Sequence, residues 1–144
     1  MILRIDHVGV ATDDPLALEP YLTALGMQRT DTGVAEHYGV SCDFWQYGSG
    51  PAEPAVELVA PAREDSSVHG RLARSGPGLY HIAFVVDDID RELERLRTHG
   101  FVAVDSQPCN GARPGMRVAF MYLRRPAGML IELVEYAGRE ESPW

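Results

Sequence analysis

Two segments of the chain carry apolar residues at the three-and-four spacing of a helix, and each follows a segment with the two-residue alternation of a strand. The first helical segment, DDPLALEPYLTALG (13–26), sets Leu18, Leu22 and Leu25 on one stripe. Asp13 or Asp14 serves as N-cap, Pro15 takes the first helical position and Gly26 is the stop. Pro20 shortens or bends this helix. The second segment, DDIDRELERLRTHG (87–100), turns Ile89, Leu93 and Leu96 inward between a cap at Asp87 or Asp88 and a stop at Gly100. The strand before the first helix is RIDHVGVAT, and the strand before the second is GLYHIAFVV. β-rich sequence follows each helix, at 38–48 and at 116–125, and the halves close on AVELVAP (55–61) and LIELVEY (130–136). Each half therefore predicts β-α-β-β-β, over about 1–62 and 77–136. The linker between them, 63–76, carries a short helix, and YGSGP (47–51) reads as a turn.

The polar residues inside these strands keep the same order. His7 and His81 are 74 residues apart, and Glu57 and Glu132 are 75 apart, as a duplicated unit requires. Strand parity groups Ile5, His7 and Gly9 on one face, and Leu79, His81 and Ala83 on its equivalent. A very small side chain thus follows each imidazole, which leaves room beside it. Glu57 shares a face with Ala55 and Val59, and Glu132 with Leu130 and Val134. The opposite faces carry Val8, Val10, Ile82, Phe84, Leu58, Ile131 and Leu133, suited to packing beneath the helices. If the sheet curls, two imidazoles and two carboxylates converge. Burying an unpaired glutamate costs on the order of several kcal/mol, and two facing glutamates repel each other. A divalent cation relieves that repulsion; a neutral hydrogen-bonded cluster is the competing arrangement.

Composition narrows the chemistry. A chain of 144 residues, 45% hydrophobic and 24% charged, fits a single domain of an ordinary soluble protein. No run of about 18 apolar residues is present to span a membrane, and MILRIDH enters a strand without signal-peptide character. A net charge of −8 argues against nucleic acid and anionic membranes as partners. All 13 basic residues are arginine, which excludes Schiff-base, pyridoxal phosphate and P-loop lysines. Cys42 and Cys109 have no metal-like spacing and are expected as free thiols in a reducing cytoplasm, a single disulfide between them being the alternative.

IDHVGVAT, LGM, VELVAPAREDSSV, GLYHIAFVVDDID, VAF and GMLIELVEY together resemble the vicinal oxygen chelate superfamily, the group of glyoxalases, bleomycin-resistance proteins and extradiol dioxygenases. Within that group the chain is most similar to methylmalonyl-CoA epimerases. The resemblance implies an α+β fold in which two β-α-β-β-β modules form an open barrel around a metal site, usually in homodimers. It implies His7, Glu57, His81 and Glu132 as ligands of one divalent ion such as Co, Ni, Mn, Zn or Fe. The epimerases often carry a catalytic glutamate three residues past the glycine of the strand matching YGVSCDF; this chain has Cys42 there, followed by Asp43. Before the last strand, Met121-Tyr122-Leu123-Arg124-Arg125 also departs from the epimerase pattern. Ala11 replaces the arginine that glyoxalase I carries after its first histidine.

Such a centre suits proton transfer next to a carbonyl of a small-molecule or thioester substrate, an acyl-CoA among them. Glu132 is the first choice of base and Glu57 the second, with Asp43 a separate acid/base if a strand irregularity turns it inward. Tyr122, Arg124 and Trp45 are the substrate-binding candidates, with Arg124 and Arg125 as a clamp for phosphate or carboxylate. Three classes follow: an isomerase or epimerase, favoured here, with a glyoxalase-like lyase beside it; a ferrous-iron dioxygenase; and a protein that sequesters a small molecule such as an antibiotic. Glu57 counts against the dioxygenase, because a fourth protein ligand fills a position that chemistry needs open.

Overall fold

The computed structural model describes residues 1–48, 50 and 52–138. The turn expected at 47–51 includes Ser49 and Pro51, which lie outside the described residues, as do 139–144. The first module runs β1 (Ile2–Ala11), α1 (Pro15–Ala24), β2 (Gln28–Ala35), β3 (Val40–Gln46) and β4 (Ala55–Pro61). α2 (Val68–Ser75) occupies the expected linker. The second module runs β5 (Gly78–Val86), α3 (Ile89–Arg97), β6 (Val102–Ala103), β7 (Cys109–Asn110), β8 (Met116–Leu123) and β9 (Met129–Tyr136).

Both long helices start where the sequence sets a cap. Asp14 accepts from the Ala17 N–H at 3.3 Å, and Asp88 from the Arg91 N–H at 3.1 Å. α1 stops one residue before Leu25, which falls off the apolar stripe and is 64% exposed. Leu22 is the residue that α1 buries fully, against Met27, Trp45 and Leu58. α3 sets Ile89, Leu93 and Leu96 against Ala119, Met121, Ile131 and Leu133. Each such buried aliphatic side chain contributes about 1.5–3 kcal/mol.

Among the described residues nine strands form one mixed sheet in the order β2-β3-β4-β1-β5-β9-β8-β6, with β7 also on β8. β1 runs parallel to β4 and β5 parallel to β9, while β1 and β5 pair antiparallel at the join. The two modules are thus related by a local two-fold whose centre is the Val8–Ile82 pair, flanked by His7–Ala83 and Gly9–His81. The sheet curls into an open barrel until β2 meets the second module. A Cβ on Gly33 would lie 2.2 Å from the Ala112 carbonyl oxygen, and Arg113 Nε stands 3.3 Å from Asp31 Oδ2.

The strand parity expected before each histidine is broken, in the same way twice. The register shifts between Ile5 and His7, and again opposite Leu79 and His81, leaving Asp6 and Tyr80 as the extra residues of two bulges. Ile5 and Leu79 therefore do not share the histidines' face; they are 49% and 74% exposed.

Candidate metal centre

The pairing register assembles the site in two rows across the sheet. One row reads Phe44, Glu57, Gly9, His81, and the other reads Phe120, Glu132, Ala83, His7. Each imidazole stands over the small residue of the opposite module, so the expected space is supplied across the strand pair. At Gly9 the approach is too close for any other residue: a Cβ would lie 2.2 Å from His81 Cε1. Phe44 packs edge-on to His7 at 5.7 Å, and Phe120 edge-on to His81 at 5.2 Å.

His7 Nε2 lies 3.1 Å from His81 Nε2 and 2.9 Å from Glu132 Oε1. Glu57 Oε1 stands 3.4 Å from both ring nitrogens, and His81 Nε2 is 3.7 Å from Glu132 Oε1. All four residues are buried. The bulge at Asp6 turns its carboxylate back to His7, whose Nδ1 donates to Asp6 Oδ2 at 2.7 Å and so aims Nε2 at the cluster. Asp6 Oδ2 also accepts from the Tyr136 hydroxyl at 2.9 Å, and that hydroxyl accepts from Arg113 at 2.8 Å. The Arg113 guanidinium lies 3.8 Å over the Phe44 ring. His81 differs: its Nδ1 is buried with no hydrogen-bond partner among the described residues.

Burial opposes charge on His7, but Glu57, Asp6 and Glu132 outweigh it and raise its pKa well above the imidazole range. Burial likewise works against ionised Glu57, yet His7 and His81 hold its carboxyl well below the carboxylate range. Asp6 is also lowered, burial being overcome by His7, Arg113 and Tyr136.

The donor set fits a divalent cation. Donors about 2 Å from one ion stand roughly 3 Å apart at right angles, close to the separations found here. Glu132 Oε1 is buried without a hydrogen bond despite its nearness to His7, an arrangement that suits a metal-bound oxygen. His7, His81 and Glu132 form the tightest group, with Glu57 beside both rings.

Other expected site residues fall elsewhere. Asp43 and Trp45 alternate with Cys42 and Phe44, and no irregularity turns them inward. Asp43 accepts from the Thr32 hydroxyl at 2.7 Å, and Trp45 packs beneath α1 with Leu22 and Leu58. Neither lines the cavity. Tyr122 borders an outer groove, and Arg124 is exposed on the turn after β8. Cys42 does line the inner cavity, with its thiol pushed up by burial and by the charges of Glu57 and Glu132. Both cysteines are free.

Several neighbours escape a reading by charge pairs alone. Phe44 and Phe120 stand 76 residues apart, so the repeat itself was their signal. Asp6 and Tyr80 occupy equivalent places before the histidines. Tyr38 lines the cavity and donates to Asp105 Oδ2 at 2.6 Å, a contact for which the sequence offered no sign.

The family model of the Glyoxalase/Bleomycin resistance protein/Dioxygenase superfamily matches residues 6–120, and the chain belongs to that superfamily. Relatives with a named activity include methylmalonyl-CoA epimerases. It is 30% identical to the Ethylmalonyl-CoA/methylmalonyl-CoA epimerase of Cereibacter sphaeroides, over 92% of this chain and 98% of that protein. It is 33% identical to the Uncharacterized protein YqjC of Bacillus subtilis, over 96% of both chains. A Streptomyces coelicolor methylmalonyl-CoA epimerase variant, solved in complex with 2-nitronate-propionyl-CoA, superposes with a TM-score of 0.83 at 33% identity, covering 96% of this chain and 100% of that one.

Proposed function

We propose that the protein is a metal-dependent epimerase, an isomerase that moves a proton at the carbon next to the thioester carbonyl of a 2-substituted acyl-CoA. The observation that carries this reading is the meeting of His7, His81, Glu57 and Glu132 at one buried point, with Glu132 Oε1 lacking a hydrogen bond. The epimerases among its relatives support the reaction and the acyl-CoA substrate.

Those four residues would hold one divalent ion: Co, Ni, Mn, Zn or Fe. Bound there, the ion supplies Lewis acidity toward the substrate carbonyl. Glu57, tied between both imidazoles, is a poor base. Glu132 takes the proton: the C–H bond breaks, an O–H bond forms on the carboxylate, and the electron pair passes to the enolate oxygen. The enolate then turns its other face to the protonated Glu132, whose O–H bond breaks as the C–H bond re-forms, so the centre is inverted and the carboxylate is restored. Asp6 orients His7, and Phe44 and Phe120 keep water from the imidazole edges.

In the same reading the chain is one domain of two repeats, about 1–62 and 77–136 joined by 63–76, and works as a homodimer in the cytoplasm without nucleic-acid or membrane partners. The net charge of −8 supports the last point, and among the described residues no helix is long and apolar enough to cross a membrane.

Incubation with methylmalonyl-CoA in D₂O tests the reaction. Deuterium should enter at the substituted carbon without oxygen uptake, and Glu132→Gln should slow entry by about 10²–10⁴-fold, beyond any loss of bound metal. Oxygen consumption without exchange would move the protein to the dioxygenase class.

A further inference from the structure

A second concavity of about 520 Å³ opens outside the metal centre, between α2 and the ends of β5, β8 and β9. Ser67 and Tyr80 line both it and the inner cavity, so the two spaces meet at those residues. Its wall combines Arg71, Arg74 and the Tyr122 ring with the apolar side chains of Leu79 and Val104, which are 74% and 59% exposed.

The distribution of arginine charge singles this groove out. Arg4, Arg29, Arg63, Arg91, Arg95, Arg97, Arg113 and Arg117 each form an ion pair with a carboxylate. Among the described residues, Arg71, Arg74, Arg124 and Arg125 form none, in a chain with 21 acidic residues. Two of these line the groove, and the other two lie in the turn between Tyr122 and Gly128, both of which line it. Arg71 is braced rather than neutralised. Its Nη2 donates to the Leu79 carbonyl at 2.9 Å and its guanidinium lies 5.9 Å from the Tyr80 ring centre, while its Nε is buried without a partner. Four uncompensated guanidinium groups around a partly apolar groove suit an anion carried on an uncharged arm.

We infer that this groove binds the phosphate-bearing tail of the substrate, with the arm crossing Leu79 and Val104 and the phosphates meeting Arg71, Arg74 and the 124–125 turn. The inference rests on the acyl-CoA reading above and names the subsite that would select a coenzyme A thioester over a shorter one.

The test measures exchange with methylmalonyl-CoA and with methylmalonyl-pantetheine, which lacks the phosphates, together with calorimetric binding of free coenzyme A and of inorganic phosphate. Arg71→Gln with Arg74→Gln should lower kcat/KM for the CoA thioester about tenfold through KM and erase the preference over the pantetheine thioester. Free coenzyme A should bind the native protein at least tenfold more tightly than inorganic phosphate and lose that margin in the variant. Arg74→Gln alone, at an exposed position, should show a smaller shift in the same direction should the double variant fold poorly. Equal losses on both thioesters, or unchanged coenzyme A affinity, would overturn the inference, as would inorganic phosphate binding as tightly as coenzyme A. Arginine-dependent coenzyme A binding with no exchange on either thioester would retain the groove and sink the epimerase reading. Exchange insensitive to the arginines would do the reverse.

Discussion

The two modules agree closely where their strands touch each other and diverge with distance from that join. β1 matches β5 down to its bulge, and β4 and β9 lie parallel to them in equivalent places. Farther out, β2 is a strand of 8 residues, whereas the second module has only the two-residue strands β6 and β7 against β8. α1 buries Leu22 fully and contains Pro20, while α3 buries four residues. The four clustered side chains depend on the local two-fold and not on the outer strands, so divergence falls where it leaves the candidate metal centre intact. Within the centre the symmetry is broken at one place that matters: a carboxylate, Asp6, supports His7, but an aromatic ring, Tyr80, flanks His81.

The largest effect should come from the residues at the join. Gly9→Ala drives a methyl group into the His81 ring, which must leave its position beside the other donors. Metal affinity should fall by about 10²-fold or more in a competition titration, given that outer-shell changes alone cost 10–100-fold. The equivalent change in the other module, Ala83→Gly, removes a methyl and should cost only about 0.5–1 kcal/mol of stability with metal retained. Equal metal loss in both would show that the ring contact at Gly9 does not set the geometry.

Next comes the support of each histidine. Asp6→Asn keeps an acceptor for His7 Nδ1 but removes the negative charge, and should weaken metal binding by about 10–100-fold. Tyr80→Phe should change it by less than about threefold, because His81 Nδ1 makes no bond to that hydroxyl. pH separates them further. The raised pKa of His7 means that the metal-free protein carries its proton near neutrality, so binding must expel it. Apparent affinity should rise with pH until the folded His7 pKa is passed. Asp6→Asn lowers that pKa and should reduce proton release, measured calorimetrically in buffers of different ionisation enthalpy. Unaltered release in Asp6→Asn would mean that Asp6 does not hold the proton.

Much of the centre was legible because spacing survives changes of shape. His7, Glu57, His81 and Glu132 could be paired by repeat offset without knowing any angle, and the caps at Asp14 and Asp88 follow from local chemistry. What parity could not give were the bulges at Asp6 and Tyr80, since an extra residue in a strand has no periodic signature. That hid the Asp6–His7 bond and misplaced Ile5 and Leu79. Asp43 and Trp45 failed for the opposite reason: β3 keeps strict alternation, so residues flanking Cys42 and Phe44 point to the helix side. The groove depends on residues from α2, β5 and the β8–β9 turn, far apart in the chain, and only Tyr122, Arg124 and Arg125 hinted at it.

The smallest expected difference concerns the two capped helices. Asp14 and Asp88 each accept a hydrogen bond from the third residue of their helix, at 3.3 and 3.1 Å. Replacing such a cap with alanine costs about 0.5–2 kcal/mol. α1 should lie at the low end: its bond is longer, Pro15 has no N–H to satisfy, and Leu22 is its single fully buried residue, so its first turn frays without opening the core. α3 should lie higher, at about 1 kcal/mol or more. Its first residue, Ile89, is fully buried, and the Ile89 N–H donates to Glu135 on β9 at 2.8 Å, which ties the start of the helix to the sheet. Fraying there exposes core. Urea unfolding of Asp14→Ala and Asp88→Ala at neutral pH should order the variants this way with unchanged m-values. An Asp14→Ala loss equal to or above that of Asp88→Ala would mean that the modules share their stability evenly despite their different helix packing.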